Sequence, residues 1–89
     1  MSQFEDVFKA ISHRSRREIL SYLLKEGKPV SSGEINQRFS FSWPTLCKHL
    51  KSLNEARLIK KKKIGRETYY SLHKQRLIGV VKTWINSFE

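Results

Sequence analysis

A mainly α-helical chain with one small β-hairpin is the fold class this sequence predicts. Three observations carry the prediction. Apolar residues recur at intervals of three and four in five separate stretches, the period of an amphipathic helix. Thr68 to Leu72 are rich in strand formers, and Gly65 sits before them where a tight reversal is needed. The chain has 89 residues, the length of one small domain, so residues 1–89 are expected to form a single unit.

Phe4, Val7, Phe8 and Ile11 predict a short first helix, and Glu5 and Asp6 suit its positive N-terminal end. Ser12-His13-Arg14 breaks the pattern, and His13 reads as a surface or turn histidine. A second helix is expected from about Ser15, as its cap, to Glu26. Ile19, Leu20, Leu23 and Leu24 form its apolar stripe, Arg14, Arg16, Arg17 and Lys25 lie outside the stripe, and Gly27 ends it. Lys28-Pro29-Val30 is extended, with Val30 in a short edge strand. Ser31-Ser32-Gly33-Glu34 fits a capping box that opens a third helix. That helix turns Ile35 and Phe39 inward and ends near Arg38 or Phe39.

Ser40-Phe41 is the turn into a fourth helix, residues 42–57. Ser42 is its cap, Pro44 falls in the first turn where no N–H is needed, and Leu46, Leu50, Leu53 and Arg57 follow one stripe. Phe41 can reach Leu46 as a hydrophobic staple. Two helices joined by so short a turn make a helix-turn-helix. A hairpin follows, with a strand over residues 58–63, a tip at 64–67 and a return strand to Leu72. Lys60 to Lys63 cannot all be core, so they form either a solvated edge or a phosphate-binding ribbon. From His73 a last helix carries Leu77, Val81, Trp84 and Phe88 on one stripe, with Ile78 and Ile85 beside it. This is more apolar surface than so short a chain can cover alone. The helix is expected to fold back on the second helix and to pair with a second copy of itself, joined by Phe4 and Phe8 of the first. The order is that of a winged helix-turn-helix that dimerises through its first and last helices.

The formal charge of +10 favours a polyanionic partner: DNA, RNA or an acidic membrane surface. One cysteine allows no internal disulfide, no apolar run approaches membrane-spanning length, and residues 1–6 lack a signal pattern, so a cytoplasmic protein is expected. No Ser-His-Asp, Cys-His or paired-carboxylate constellation and no phosphate loop is present, so no enzyme and no cofactor is expected.

A helix held by leucines, with hydroxyl, amine and aromatic groups on its other faces, suits a DNA major groove. Ser42, Trp43, Thr45, Cys47, Lys48, His49 and Lys51 are its candidate DNA-contacting residues. Lys48 can donate to guanine O6 or N7 or to a phosphate, and Cys47 suits a thymine methyl or the groove floor. Trp43 either stacks on a sugar-phosphate edge or packs under the turn. His49 either bonds a phosphate or satisfies a backbone group. Lys61, Lys63 and Arg66 of the hairpin would meet the backbone, Arg66 in a narrow minor groove. The alternative is an RNA- or ribosome-associated basic winged-helix protein. Tyr69 and Tyr70 alternate on a strand, so one at most faces outward, a poor base-stacking platform. Lys48 and His49 beside Cys47 also allow a thiol whose oxidation would spoil groove docking.

Three segments carry a family resemblance. Phe8-Lys9-Ala10-Ile11-Ser12-His13-Arg14-Ser15-Arg16-Arg17-Glu18-Ile19-Leu20 resembles the opening of ArsR-type bacterial repressors. Leu46-Cys47-Lys48-His49-Leu50-Lys51-Ser52-Leu53 resembles their recognition helix, and Gly65-Arg66-Glu67-Thr68-Tyr69-Tyr70-Ser71-Leu72 their wing. Among subgroups the short chain is most similar to the SdpR-like autorepressors. The resemblance implies a homodimer, two recognition helices on a palindromic double-stranded operator, and repression by blocking a promoter. The inducing signal is left open: a small molecule, a protein partner or nothing at all. Some sensors of the family place metal-binding cysteines in the third helix, but residues 31–39 have none here. Others use acidic and histidine ligands on the last helix, but residues 77–89 hold no histidine and one carboxylate, Glu89. No metal site is therefore expected.

Overall fold

The computed structural model describes residues 3–88; Met1 and Ser2 of the N-terminal stretch, and Glu89, lie outside the described residues. Helices α1 (Gln3–Ile11) and α2 (Arg14–Glu26) lead into the short strand β1 (Val30–Ser31). Helices α3 (Ser32–Arg38) and α4 (Trp43–Glu55) follow, then strands β2 (Ile59–Ile64) and β3 (Glu67–Leu72), then helix α5 (Lys74–Asn86).

Local chemistry sets most of these boundaries. The Ser31 hydroxyl accepts the Glu34 N–H at 3.1 Å and donates to the Glu34 carboxylate at 3.2 Å, so the capping box closes through the hydroxyl. Ser42 accepts the Thr45 N–H at 3.4 Å and donates to Thr45 Oγ1 at 2.9 Å. Gly27 ends α2 in the left-handed region at φ +67°, with its N–H on the Leu23 carbonyl at 3.1 Å.

Two boundaries differ from expectation. Helix α2 starts at Arg14 rather than Ser15, because extended His13 is the cap residue and its carbonyl takes the N–H groups of Arg16 and Arg17 at 3.1 Å each. Helix α4 ends at Glu55, short of residue 57. Arg57 is exposed at φ +60°, and that left-handed residue lets the Leu58 N–H close on the Leu53 carbonyl at 3.0 Å. Arg57 is therefore not on the apolar stripe of α4; Ala56 and Leu58 are buried on either side of it.

The sheet is antiparallel in the order β1-β3-β2. Gly65, at φ +63°, and Arg66 form the turn between paired Ile64 and Glu67, so β2 runs one residue further than expected. Cross-strand pairing puts Lys61 opposite Tyr70 and Lys63 opposite Thr68 on one face, and Lys60 opposite Ser71 and Lys62 opposite Tyr69 on the other.

Ile19, Leu23, Ile35, Leu46, Leu53 and Leu58 are the centre of the core, and Phe39, Phe41, Tyr70 and Leu77 pack against it. Helix α5 does not fold back principally on α2, which packs against β3 and α4; its neighbour is α1, where the Phe8 and Trp84 rings meet edge to face at 5.1 Å. Val80 is the buried residue of α5, and Val81 of the expected stripe is half-buried.

Candidate nucleic-acid interface

With Leu46, Leu50 and Leu53 in the core, α4 is fixed in rotation and its other side chains are presented outward. Trp43, Thr45, Cys47, Lys48 and Lys51 are all exposed. Trp43, Cys47 and Lys51 lie on the flank facing the hairpin. There they line a groove of about 250 Å³ together with Lys61, Thr68 and Tyr70. Trp43 is 49% exposed, so it borders this groove rather than being packed away under the turn. Burial raises the Tyr70 phenol above its ordinary value, and negative charge on Cys47 raises it further. Lys61 and Lys63, on the face of the hairpin shared with Tyr70 and Thr68, are exposed, as is Arg66 in the turn. Ser42 is exposed, with its hydroxyl engaged by Thr45.

His49 lies on the other flank. Its Nδ1 accepts the Arg16 Nε–H at 3.2 Å, its ring meets Phe41 at 5.3 Å, and the His13 ring lies 6.3 Å away. Its Nδ1 partner is thus a guanidinium and not a backbone group. Burial lowers the His49 pKa below its ordinary value, and the charges of Arg16, His13 and Lys48 lower it further. A neutral ring whose Nδ1 accepts carries its proton on Nε2.

Arg16 is a residue that sequence reasoning misplaced. It was expected outside the apolar stripe of α2 and is buried, 9% exposed. The signal was its position three and four residues before Ile19 and Leu20, on the same face.

The expected dimer residues form a second surface. Phe4, Phe8, Leu77 and Val81 are half-buried, while Trp84 is 41% and Phe88 72% exposed. Phe8, Trp84 and Phe88 make a chain of edge-to-face rings at 5.1 and 5.2 Å, and Ile85 is exposed beside them. Among the described residues no three of His, Cys, Asp and Glu come together as a metal cluster would require, and no helix is long and apolar enough to cross a membrane.

Comparison with known proteins gives a consistent picture. A family described as a helix-turn-helix domain matches residues 11–62. The chain is 36% identical to the transcriptional repressor SdpR of Bacillus subtilis (strain 168) over 81 residues, covering 91% of this chain and 88% of that protein. It is 31% identical over 81 residues to the arsenical resistance operon repressor of the same organism, covering 91% and 76% respectively. Among solved structures it is similar to an ArsR-like transcriptional regulator from Rhodococcus sp. RHA1, with a TM-score of 0.84 and 28% identity over 94% of this chain and 77% of that one.

Proposed function

Since the chain belongs to the ArsR-type family of winged helix-turn-helix transcriptional regulators, we propose that it acts as a dimeric repressor on a palindromic DNA operator without a metal ligand. It is a DNA-binding regulator, and the family is not one of enzymes. In the proposed complex α4 enters the major groove. Thr45, Cys47, Lys48 and Lys51 read base edges there, and Trp43 and Ser42 lie at the groove's rim. Lys61, Lys63 and Arg66 hold the backbone or the adjacent minor groove, and His49 contacts a phosphate. Two such units, joined through Phe4, Phe8, Leu77, Val81, Trp84 and Phe88, present their α4 helices to half-sites about one helical turn, roughly 34–36 Å, apart. The protein works in the cytoplasm, where such an operator lies.

One observation carries this reading. Three leucines fix α4 from behind while its hydroxyl, thiol and amine groups stay exposed beside a hairpin with four consecutive lysines. Phosphates supply affinity and register, base edges supply choice, and both kinds of group are present on one side of the molecule. Selection of bound fragments from the source genome, followed by competition with a structured RNA, tests it. A recovered palindrome that outcompetes the RNA is expected. Preference for the RNA would favour the ribosome-associated alternative. On the recovered duplex, neutralising Lys48 and Lys51 should relax site preference, and preference left untouched would place the probe elsewhere.

A further inference from the structure

We infer that the DNA interface has a second phosphate-binding edge, on the flank of α4 away from the hairpin, made by the start of α2 with His13, Arg14 and the Arg16–His49 pair. The inference rests on the DNA-binding reading above and adds a contact surface to it. A helix lying in a major groove has a phosphate strand along each wall. The hairpin lies beside one flank of α4, where Trp43, Cys47 and Lys51 face Lys61. The opposite flank carries His49 and Ser52, and the start of α2 meets it there: Arg16 bonds His49, and His13 and Arg16 line one cleft with Ser52. Exposed Lys48 falls between the two flanks by the helical repeat. Both walls of the groove would therefore meet a basic edge.

The start of α2 is built to receive an anion. This helix of 13 residues has no acidic residue in its first turn, and its cap residue His13 makes no side-chain cap bond. Arg14, Arg16 and Arg17 instead stand at the positive end of the helix dipole, an unfavourable arrangement that an anion reverses. The second observation is Arg16 itself. Its guanidinium lies in a nine-tenths-buried residue, and its one hydrogen-bond partner among the described residues is the neutral ring of His49. Carboxylates are near but not engaged with it. Glu18 pairs with Arg14 at 3.7 Å, and Asp6 and Glu55 line the cleft without an ion pair to Arg16 or His13. The guanidinium nitrogens of Arg16 that do not bond His49 are not orphaned in the interior, so they reach the surface of this flank, where a phosphate oxygen would accept from them. Arg16 also fixes the His49 tautomer, leaving Nε2–H as a further donor with no partner among the described residues.

Ethylation-interference mapping tests this on a duplex that the wild-type protein selects from a random-sequence pool. Two sets of phosphates per half-site are expected. Lys61→Ala with Lys63→Ala should thin one set, and His13→Ala with Arg14→Ala, at exposed positions that spare the core, should thin the other to the phosphate held by Arg16 and His49. Each phosphate lost should flatten the slope of log affinity against log salt by about 0.9. If the wild type shows one set only, or if the His13 and Arg14 variant leaves map and slope unchanged, the second edge is overturned while duplex binding stands. If the wild type selects no duplex at all, the DNA-binding reading falls and the second edge with it.

Discussion

Arg16 donates from Nε to Nδ1 of His49 across 3.2 Å, joining the start of α2 to the middle of α4. The two residues are 33 apart in sequence, and the bond ties α2 to the flank of α4 beside its leucine stripe. Phe41 stacks on Phe39 at 5.3 Å and also touches the His49 ring, so the turn between α3 and α4 is anchored to the same point.

The bond requires an unprotonated Nδ1, and this gives stability a pH dependence. The His49 pKa is lowered in the folded protein, first by burial and then by Arg16, His13 and Lys48, whereas in the unfolded chain it returns to its ordinary value of 6.5. Between the two values the unfolded state binds more protons, so stability falls as pH drops through about 6.5 and is flat above it. Thermal unfolding at a series of pH values should show the melting temperature falling between about pH 7.5 and about pH 5.5 more steeply in the wild type than in His49→Gln. Parallel curves for the two proteins would contradict this.

Exposed Trp84 and Phe88 continue the ring chain that Phe8 begins, and large exposed apolar patches of this kind mark interfaces. Trp84→Ala with Phe88→Ala should convert a dimer at micromolar concentration to a monomer in sedimentation experiments. Losing the linked second half-site should weaken operator binding about a hundredfold. Unchanged self-association and binding would show that the clasp is elsewhere.

Arg57 adopts φ +60° with an exposed side chain, and its carbonyl lies 3.1 Å from His73 Nδ1. Glycine tolerates this backbone and keeps the carbonyl. Arg57→Gly should raise unfolding free energy by about 0.5–1 kcal/mol, read by denaturant titration. A loss of stability would mean that the arginine side chain makes a contact worth more than the strain.

Ser31 caps α3 at a buried position, where its hydroxyl takes the Glu34 N–H. Ser31→Ala should cost about 1 kcal/mol in the same titration, with Ser31→Thr losing less because its hydroxyl can still accept that N–H and donate to the Glu34 carboxylate. Equal losses in the two variants would point to packing rather than the cap.

Features controlled by neighbouring residues were legible in the sequence. The caps at Ser31 and Ser42, the left-handed Gly27 and the turn at Gly65 each follow from a side chain or a missing one within a few positions. Features controlled by tertiary packing were not. Arg57 shares the spacing of the α4 leucines, so periodicity extends the helix through it; the reversal that stops the helix depends on Leu58 entering the core. Arg16 lies on the apolar face of α2, but its charge argues for the surface until His49, supplied by another helix, gives it a partner. The partner of α5 is not legible because Leu77, Val81, Trp84 and Phe88 describe a stripe without saying which helix meets it. In the structure Val80 enters the core and the outer rings meet α1. The exposed face of α4 was legible because Leu46, Leu50 and Leu53 leave only one way to turn the helix.

Footprinting the wild-type protein on its selected operator, with stoichiometry measured on the same complex, tests the central claim most directly. Two chains per duplex should protect two major-groove segments whose centres lie about one helical turn, roughly 34–36 Å, apart. One chain protecting a single segment would contradict a dimer that reads DNA with paired α4 helices.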